Sequence, residues 1–356
     1  MSNKQQALMD LSMPTGLEKI NEIAQDYQIF QAFLAAVNLG LFDYLAKEGI
    51  SDRKVIAENI GINGMFSRCF LDTMVEIGLL SKQGENYTNT DTSNTFLVSS
   101  SPFYQGNWVR NIGYGQHWSK LEDSLKRRAP ESSNTGSGVS ETFIGSNAES
   151  SLRGELQAVT KAITAWSGFE KARSLLGLGD GHGLYAIALC QANPNLKGVV
   201  FDKPDVTKIT QKYIEKYQMA NRVSTLEGDI CTDSFGSGFD IIIVSHQLYK
   251  FRKALEPFFE RVYKALNPGG LLVANHWFCA PGCSAEGSNI TELAKSLHSL
   301  GHPLCHIDDF YKVFENKGFK LIEKLNIPST HGTSFLQLAV KDSDCKNSKC
   351  GSGCCY

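Results

Sequence analysis

The sequence predicts an α/β protein, with a mostly parallel seven-stranded sheet covered by helices on both faces and a smaller, mostly helical unit before it. Two observations lead there. From residue 173 onward, short apolar runs at 173–178, 197–202, 223–227, 239–245, 270–277, 318–325 and 333–341 alternate with amphipathic stretches. Such alternation is the mark of a parallel sheet with crossover helices, and the last two runs lie close enough in sequence to pair antiparallel. Before residue 100 the apolar residues instead recur at helical spacing, and only one short hairpin interrupts them.

Each element has a local reason. Asp26 to Phe42 reads as helical, with Phe30, Phe33, Leu34, Val37, Leu39, Leu41 and Phe42 apolar. Ser51-Asp52 forms an N-cap for a short helix over Arg53 to Asn59. Gly61-Ile62-Asn63-Gly64 is a turn, and a second amphipathic helix runs from Phe66 to Ile77, ending at Gly78. Leu79 to Lys82 and Asn86 to Thr88 flank Gln83-Gly84-Glu85 as a hairpin. Helix, turn, helix and hairpin is a winged-helix order. From Ala129 to Ser151 the chain is rich in Ser, Gly, Thr and Asn and reads as a long loop or mobile lid. A helical stretch from Leu152 to about Arg173 follows. The organisation expected is thus 1–100 winged helix, 101–172 helical linker and lid, 173–341 sheet domain, and 342–356 a cysteine-rich tail.

Composition narrows the class. The 356 residues allow two domains, and 35 basic against 37 acidic residues leave a net charge of −2. That balance gives no reason to expect nucleic acid or an anionic membrane as partner. No apolar run approaches the roughly 20 residues that span a bilayer. The first residues are polar and carry no signal-peptide core, so a cytoplasmic protein with reduced cysteines is expected.

The richest segment is Leu175-Leu176-Gly177-Leu178-Gly179-Asp180-Gly181-His182-Gly183. It reads as a buried strand end, a turn that needs positive φ at Gly179, Gly181 and Gly183, and then a helix. Alone, GxGxG is equally an ordinary glycine-rich turn. Two further strand ends carry acids, however: Val199-Val200-Phe201 ends at Asp202, and the next run at Glu227-Gly228-Asp229-Ile230. A carboxylate at Asp202 can accept hydrogen bonds from two ribose hydroxyls. The spacing is not the GxGxxG of dinucleotide folds, and no second phosphate-binding feature follows. The pattern points to adenosine without a pyrophosphate, namely S-adenosylmethionine.

On these residues the chain resembles the small-molecule O-methyltransferases of the acetylserotonin, caffeate and hydroxyneurosporene type. The matching motifs are Asn38-Leu39-Gly40-Leu41-Phe42-Asp43, Ile77-Gly78-Leu79-Leu80, the glycine turn, Phe201-Asp202-Lys203-Pro204-Asp205-Val206, Gly228-Asp229-Ile230 and Leu266-Asn267-Pro268-Gly269-Gly270. The resemblance spans residues 25 to 341. It implies a Rossmann-like methyltransferase sheet, an N-terminal winged-helix dimerisation domain, S-adenosylmethionine as cofactor and a homodimer. The implied cofactor residues are Gly179, Asp180, Gly181, Gly183, Asp202, Asp229, Ile230 and Ser245. Two departures stand out. Gly177 occupies the position, two before the first glycine, where the family usually has an acid, so contacts to the methionine end differ and Asp180 is the candidate to compensate. The family's HxLHDW segment reads His246-Gln247-Leu248-Tyr249-Lys250-Phe251, with Tyr249 in place of the usual base. A phenol with a pKa of about 10 is a poor base at neutral pH.

The remaining candidates each carry two readings. His246 follows the strand Ile241 to Val244 at the ligand-binding edge of the sheet, and is either catalytic or a packing residue. Tyr249 either orients the acceptor or fills core. Trp108, Tyr114, His117 and Trp118, with His276 and Trp277 at the end of the fifth strand, either line an acceptor pocket or form a buried aromatic stripe. Cys279 and Cys283 follow that strand. No standard metal spacing is present. Cys345, Cys350, Cys354 and Cys355 are weak soft-metal candidates in a polar tail, or thiols with no role. A small, partly aromatic or apolar acceptor is expected, with O-methylation foremost. C- or S-methylation, a soft thiol or metalloid acceptor, and a non-catalytic cofactor-binding regulator are the alternatives. A DNA-reading helix is disfavoured, because Phe66 to Ile77 carries Arg68 as its sole cation against Asp72 and Glu76. The apolar face of Phe30, Phe33, Leu34, Val37 and Leu41 is the expected dimer contact.

Overall fold

Gly40 interrupts the N-terminal helical pattern by taking φ +69, a left-handed conformation that costs little only at glycine. The single stretch expected from Asp26 to Phe42 is therefore two helices, Leu17–Asn38 and Leu41–Glu48. The computed structural model describes residues 8–126, 139–252, 254–279, 287–301, 303, 304 and 306–342. They fall into two units, divided between Gly113 and Tyr114.

In the N-terminal unit, Asp52 accepts a hydrogen bond from Lys54 N and caps the helix Arg53–Asn59, as expected. Asn63 caps Gly64–Glu76 through Met65 N. Three strands, β1 (Ser51–Asp52), β2 (Leu80–Gln83) and β3 (Asn86–Asn89), pair antiparallel in the order β1-β3-β2, so the hairpin gains a short third strand. Leu34, Val37 and Leu41 are buried in this unit's own core with Phe42, Leu71 and Tyr87, and Phe30 and Phe33 pack against it. The face expected to meet a partner is thus largely used internally. The exposed apolar stripe lies earlier on the same helix, at Leu17, Ile20, Ile23 and Tyr27, which are 43%, 62%, 58% and 65% exposed. No single helix among the described residues is long and apolar enough to cross a membrane.

The second unit is built on seven strands: β4 (Ser174–Leu178), β5 (Lys197–Asp202), β6 (Val223–Glu227), β7 (Phe239–Ser245), β8 (Leu266–His276), β9 (Phe319–Ser329) and β10 (Gly332–Lys341). Their order is β6-β5-β4-β7-β8-β10-β9. The first five are parallel, and β10 runs antiparallel to both β8 and β9. Aliphatic residues from both strand faces feed two cores. One holds Leu175, Ile241, Ile243, Leu271 and Val273, and the other holds Leu176, Ile242, Val244 and Leu272. The stretch expected to be a loop from Ala129 to Ser151 is in part a helix, Glu141–Ser151. Ser140 caps it by accepting from Phe143 N, and its small residues Gly145, Ser146 and Ala148 allow close burial. The next helix ends at Ala165, earlier than expected, and a short 3-10 turn follows at Phe169–Lys171.

Candidate active site

The carboxyl ends of β4, β5 and β6 carry the glycine turn and the two acids. Gly179, Gly181 and Gly183 take φ of +65, +61 and +73, and the helix Leu184–Ala192 begins immediately after them. A methyl group at Gly179 would lie 2.7 Å from Gln247 Cγ, so the turn closes against the segment after β7 and leaves no room for a side chain. Gly179 N–H donates to Phe201 O, and Gly181 N–H donates to Asp202 Oδ2 at 3.2 Å. Asp202 Oδ1 accepts from Lys203 N, and Asp229 Oδ1 accepts from Cys231 N, each at 2.8 Å. Both carboxylates are half-buried at strand ends, and Ile230 packs against the second core.

Asp180 sits inside the turn with its side chain 4% exposed, and its Oδ2 has no hydrogen-bond partner among the described residues. A side chain at Gly177 would meet Asp180 Cβ at 3.4 Å and Oδ2 at 3.5 Å, so positions 177 and 180 share one space. Burial pushes the Asp180 carboxyl well above its ordinary value and the Asp202 charge adds to this, against the pull of the Ala186 and Tyr185 N–H groups. His182, beside it, is held neutral by burial, its pKa lowered to about 4.

A second cluster forms at the ends of β7 and β8. His246, the first residue after β7, takes φ +53, an uncommon conformation for a non-glycine residue. Its Nε2 lies 2.6 Å from Glu155 Oε1, and its Nδ1 lies 2.8 Å from the Tyr249 hydroxyl. That hydroxyl accepts from Trp277 N–H at 2.8 Å, so its one proton goes to His246 Nδ1, and His246 donates from Nε2 to Glu155. Glu155 Oε1 also accepts from Asn275 Nδ2 at 2.6 Å and from the Ser334 hydroxyl. Burial opposes ionisation of Glu155, but neighbouring His246 and the hydrogen bonds from His246, Asn275 and Ser334 outweigh it and hold the carboxyl below its ordinary value. Burial pushes the Tyr249 phenol well above its usual range. Ser245 accepts from Asn275 Nδ2 at 3.2 Å.

Rings extend this cluster. Trp277 lies 4.2 Å from His246 between centroids and stacks on Tyr249. His331 packs edge-on to Trp277 at 5.6 Å, His298 lies 4.2 Å from His331, and His117 lies 5.2 Å from His298. His276 is fully buried, accepts from Leu248 N, and is kept neutral by burial.

Of the residues expected at the site, His246, Tyr249, Ser245, Trp277, His276 and His117 come together here, while the glycine turn, Asp180, Asp202, Asp229 and Ile230 line the neighbouring strand ends. Tyr114 is 66% exposed, Trp118 is half-buried, and Trp108 belongs to the N-terminal unit, packed against its core. Cys283, Cys345, Cys350, Cys354 and Cys355 lie outside the described residues. Among the described residues no group of three His, Cys, Asp or Glu could hold a metal ion. Sequence reasoning missed Glu155, Asn275, Ser334, His298 and His331. One signal was available: along Ile241-Ile243-Ser245 and Leu271-Val273-Asn275 the same strand face turns from aliphatic to polar at the carboxyl edge.

S-adenosylmethionine presents ribose hydroxyl donors and a cationic ammonium. Carboxylate acceptors at strand ends, an orphaned buried carboxylate oxygen and a turn without room for side chains fit those groups. Comparisons with known proteins agree. The family model of the O-methyltransferase domain matches residues 132–320, more than half of the chain, and that of the O-methyltransferase dimerisation domain matches 21–99. The protein MJ0086 of Methanocaldococcus jannaschii is 29% identical over 89% of this chain and 87% of its own length. The N,N-dimethyltransferase OxyT of Streptomyces rimosus is 25% identical over 90% and 95%. In fold, the chain is similar to human N-acetylserotonin methyltransferase in complex with S-adenosylmethionine, with a TM-score of 0.73 and 22% identity over 93% of this chain and 99% of that one. The chain belongs to the O-methyltransferase family and is an S-adenosylmethionine-dependent methyltransferase that carries the family's dimerisation domain.

Proposed function

We propose that this enzyme methylates a hydroxyl of a small, partly aromatic or apolar acceptor. Asp202 and Asp229 hold the adenosine, with Ile230 and Ser245 beside them. Gly179, Gly181 and Gly183 let the methionine end approach the backbone, and Asp180 Oδ2 receives its ammonium in place of an acid at position 177. Bound S-adenosylmethionine supplies an already activated sulfonium methyl, so the protein's share is positioning and exclusion of water. The carrying observation is the orphaned, deeply buried Asp180 Oδ2 inside the glycine turn. Tyr114, His117, Trp118, His276 and Trp277 are read as the acceptor's aromatic surroundings, with His246 and Tyr249 fixing their geometry. The N-terminal unit is read as a winged-helix module that makes a homodimer, and the protein as cytoplasmic with no nucleic-acid or membrane partner. N-methylation is the second reading, favoured by the likeness to OxyT along almost the whole chain.

Calorimetry with S-adenosylhomocysteine and S-adenosylmethionine tests the cofactor assignments. Asp202→Ala is expected to weaken both at least tenfold. Asp180→Asn is expected to weaken S-adenosylmethionine by a similar factor with the fold intact. Unchanged affinities would overturn these placements. A screen of phenols, amines, thiols and arsenite with methyl-labelled cofactor tests the acceptor class, and labelling of amines alone would overturn the O-methyl reading.

A further inference from the structure

Both nitrogens of His246 are committed, Nε2–H to Glu155 and Nδ1 to the Tyr249 proton. A ring with no bare nitrogen cannot take a proton from an acceptor unless the network breaks. His298 is placed differently. It ends the helix Asn289–His298, and its Nδ1 lies 2.9 Å from Ala294 O. A carbonyl only accepts, so Nδ1 carries the proton and Nε2 of the neutral ring carries a lone pair. The ring belongs to the same wall, because His298 packs on His331, His331 on Trp277, and Trp277 on His246. The helix end is also pinned to the turn that bears Tyr249: Arg252 donates through Nε to Tyr249 O, and through Nη2 to Ser299 O and Leu300 O.

We propose that Nε2 of His298 is the proton acceptor for the methylated hydroxyl, and that Glu155 is a positioning residue that locks His246 as scaffold. This rests on the O-methyl reading above. In the step, the oxygen's lone pair forms the O–CH3 bond as the S–CH3 bond breaks with its pair returning to sulfur. As that bond forms the hydroxyl O–H bond breaks, its pair stays on oxygen, and the proton passes to Nε2 in the same step and afterwards to water. Burial lowers the His298 pKa to about 4 against the pull of the Ala294 carbonyl, and the facing His117 and the more distant His246 act in the same direction as burial. His331, with Arg153 near it, likewise stays neutral. So weak a base suffices in a concerted step, because the hydroxyl proton grows strongly acidic as the oxygen bonds the methyl, and accepting it there speeds methyl transfer itself.

Imidazole nitrogen NMR on the 15N-labelled full-length protein with S-adenosylhomocysteine reads the tautomers without any acceptor. His298 is expected as the Nδ1–H form from pH 8 to 5.5, and His246 at pH 8 as the Nε2–H form; an Nδ1–H form of His246 or a reversed His298 overturns the proposal. With a phenol that turns over in the screen, His298→Gln should lower kcat at least a hundredfold and leave the S-adenosylhomocysteine Kd within twofold. Glu155→Gln and His246→Gln should each lower kcat less than tenfold. In the wild type, kcat should stay level from pH 8 to 5.5, whereas a base of ordinary histidine pKa would lose about tenfold. The opposite ranking of variants, or that tenfold loss, overturns the proposal. Cofactor binding without methylation of any phenol would overturn the O-methyl reading instead, and the NMR outcome would remain readable.

Discussion

Asp180 shows how one residue couples a binding site to stability. Its carboxyl is raised above the ordinary value, so between that value and its native one the folded chain holds a proton that the unfolded chain has lost. Stability therefore falls as pH rises through that window. Asp180→Asn removes the effect, and its melting temperature without cofactor should exceed the wild type's by a margin that grows from pH 5 to pH 8. An equal margin at both pH values would contradict the assignment. Glu155 is the opposite case, a buried acceptor for three donors. Glu155→Ala leaves the His246 and Asn275 donors without it and should lower unfolding stability by about 3 kcal/mol in urea titration.

At the scale of elements, the turn between β4 and its helix depends on backbone shape. Gly179→Ala forces a side chain into a left-handed φ and against Gln247, and should cost about 1–2 kcal/mol of stability along with cofactor affinity. In the first helix, Leu17, Ile20, Ile23 and Tyr27 form an exposed apolar stripe, whereas Leu34, Val37 and Leu41 are buried internally. The double change Ile20→Glu, Ile23→Glu should yield a species of 39.2 kDa by light scattering while the far-ultraviolet circular dichroism stays unchanged. A dimer that survives both charges would move the interface elsewhere.

For the whole molecule, the imidazoles dominate the acid side of the stability curve. His182 and His298 are lowered to about 4 and His331 to about 3, each chiefly by burial, and His276 lies well below its usual value. Unfolding lets each take a proton below pH about 6.5, so stability falls as pH drops from there toward 4. His182, at 6% exposure, accounts for on the order of 3 kcal/mol across that window. The urea midpoint should therefore drop steeply between pH 6.5 and 4.5, with more than one proton taken up on unfolding. A flat midpoint over that range would show these rings to be solvated.

What the sequence determined by itself was local. Seven apolar runs of strand length, the cap at Asp52, and the glycines that take positive φ at 179, 181 and 183 are each decided by a few neighbouring residues, and together they specified the sheet and the placing of Asp202 and Asp229. What only the tertiary structure decided depends on partners far apart in the chain. Nothing near Glu155 announces that it meets His246, 91 residues away, or Asn275, 120 away. Whether a histidine offers a bare nitrogen is set by what its other nitrogen touches, so His246 and His298 look alike in sequence and differ in chemistry. The helix at Glu141–Ser151 belongs to the same lesson, because burial of its small residues outweighed composition there, whereas the break at Gly40 is a local effect of glycine.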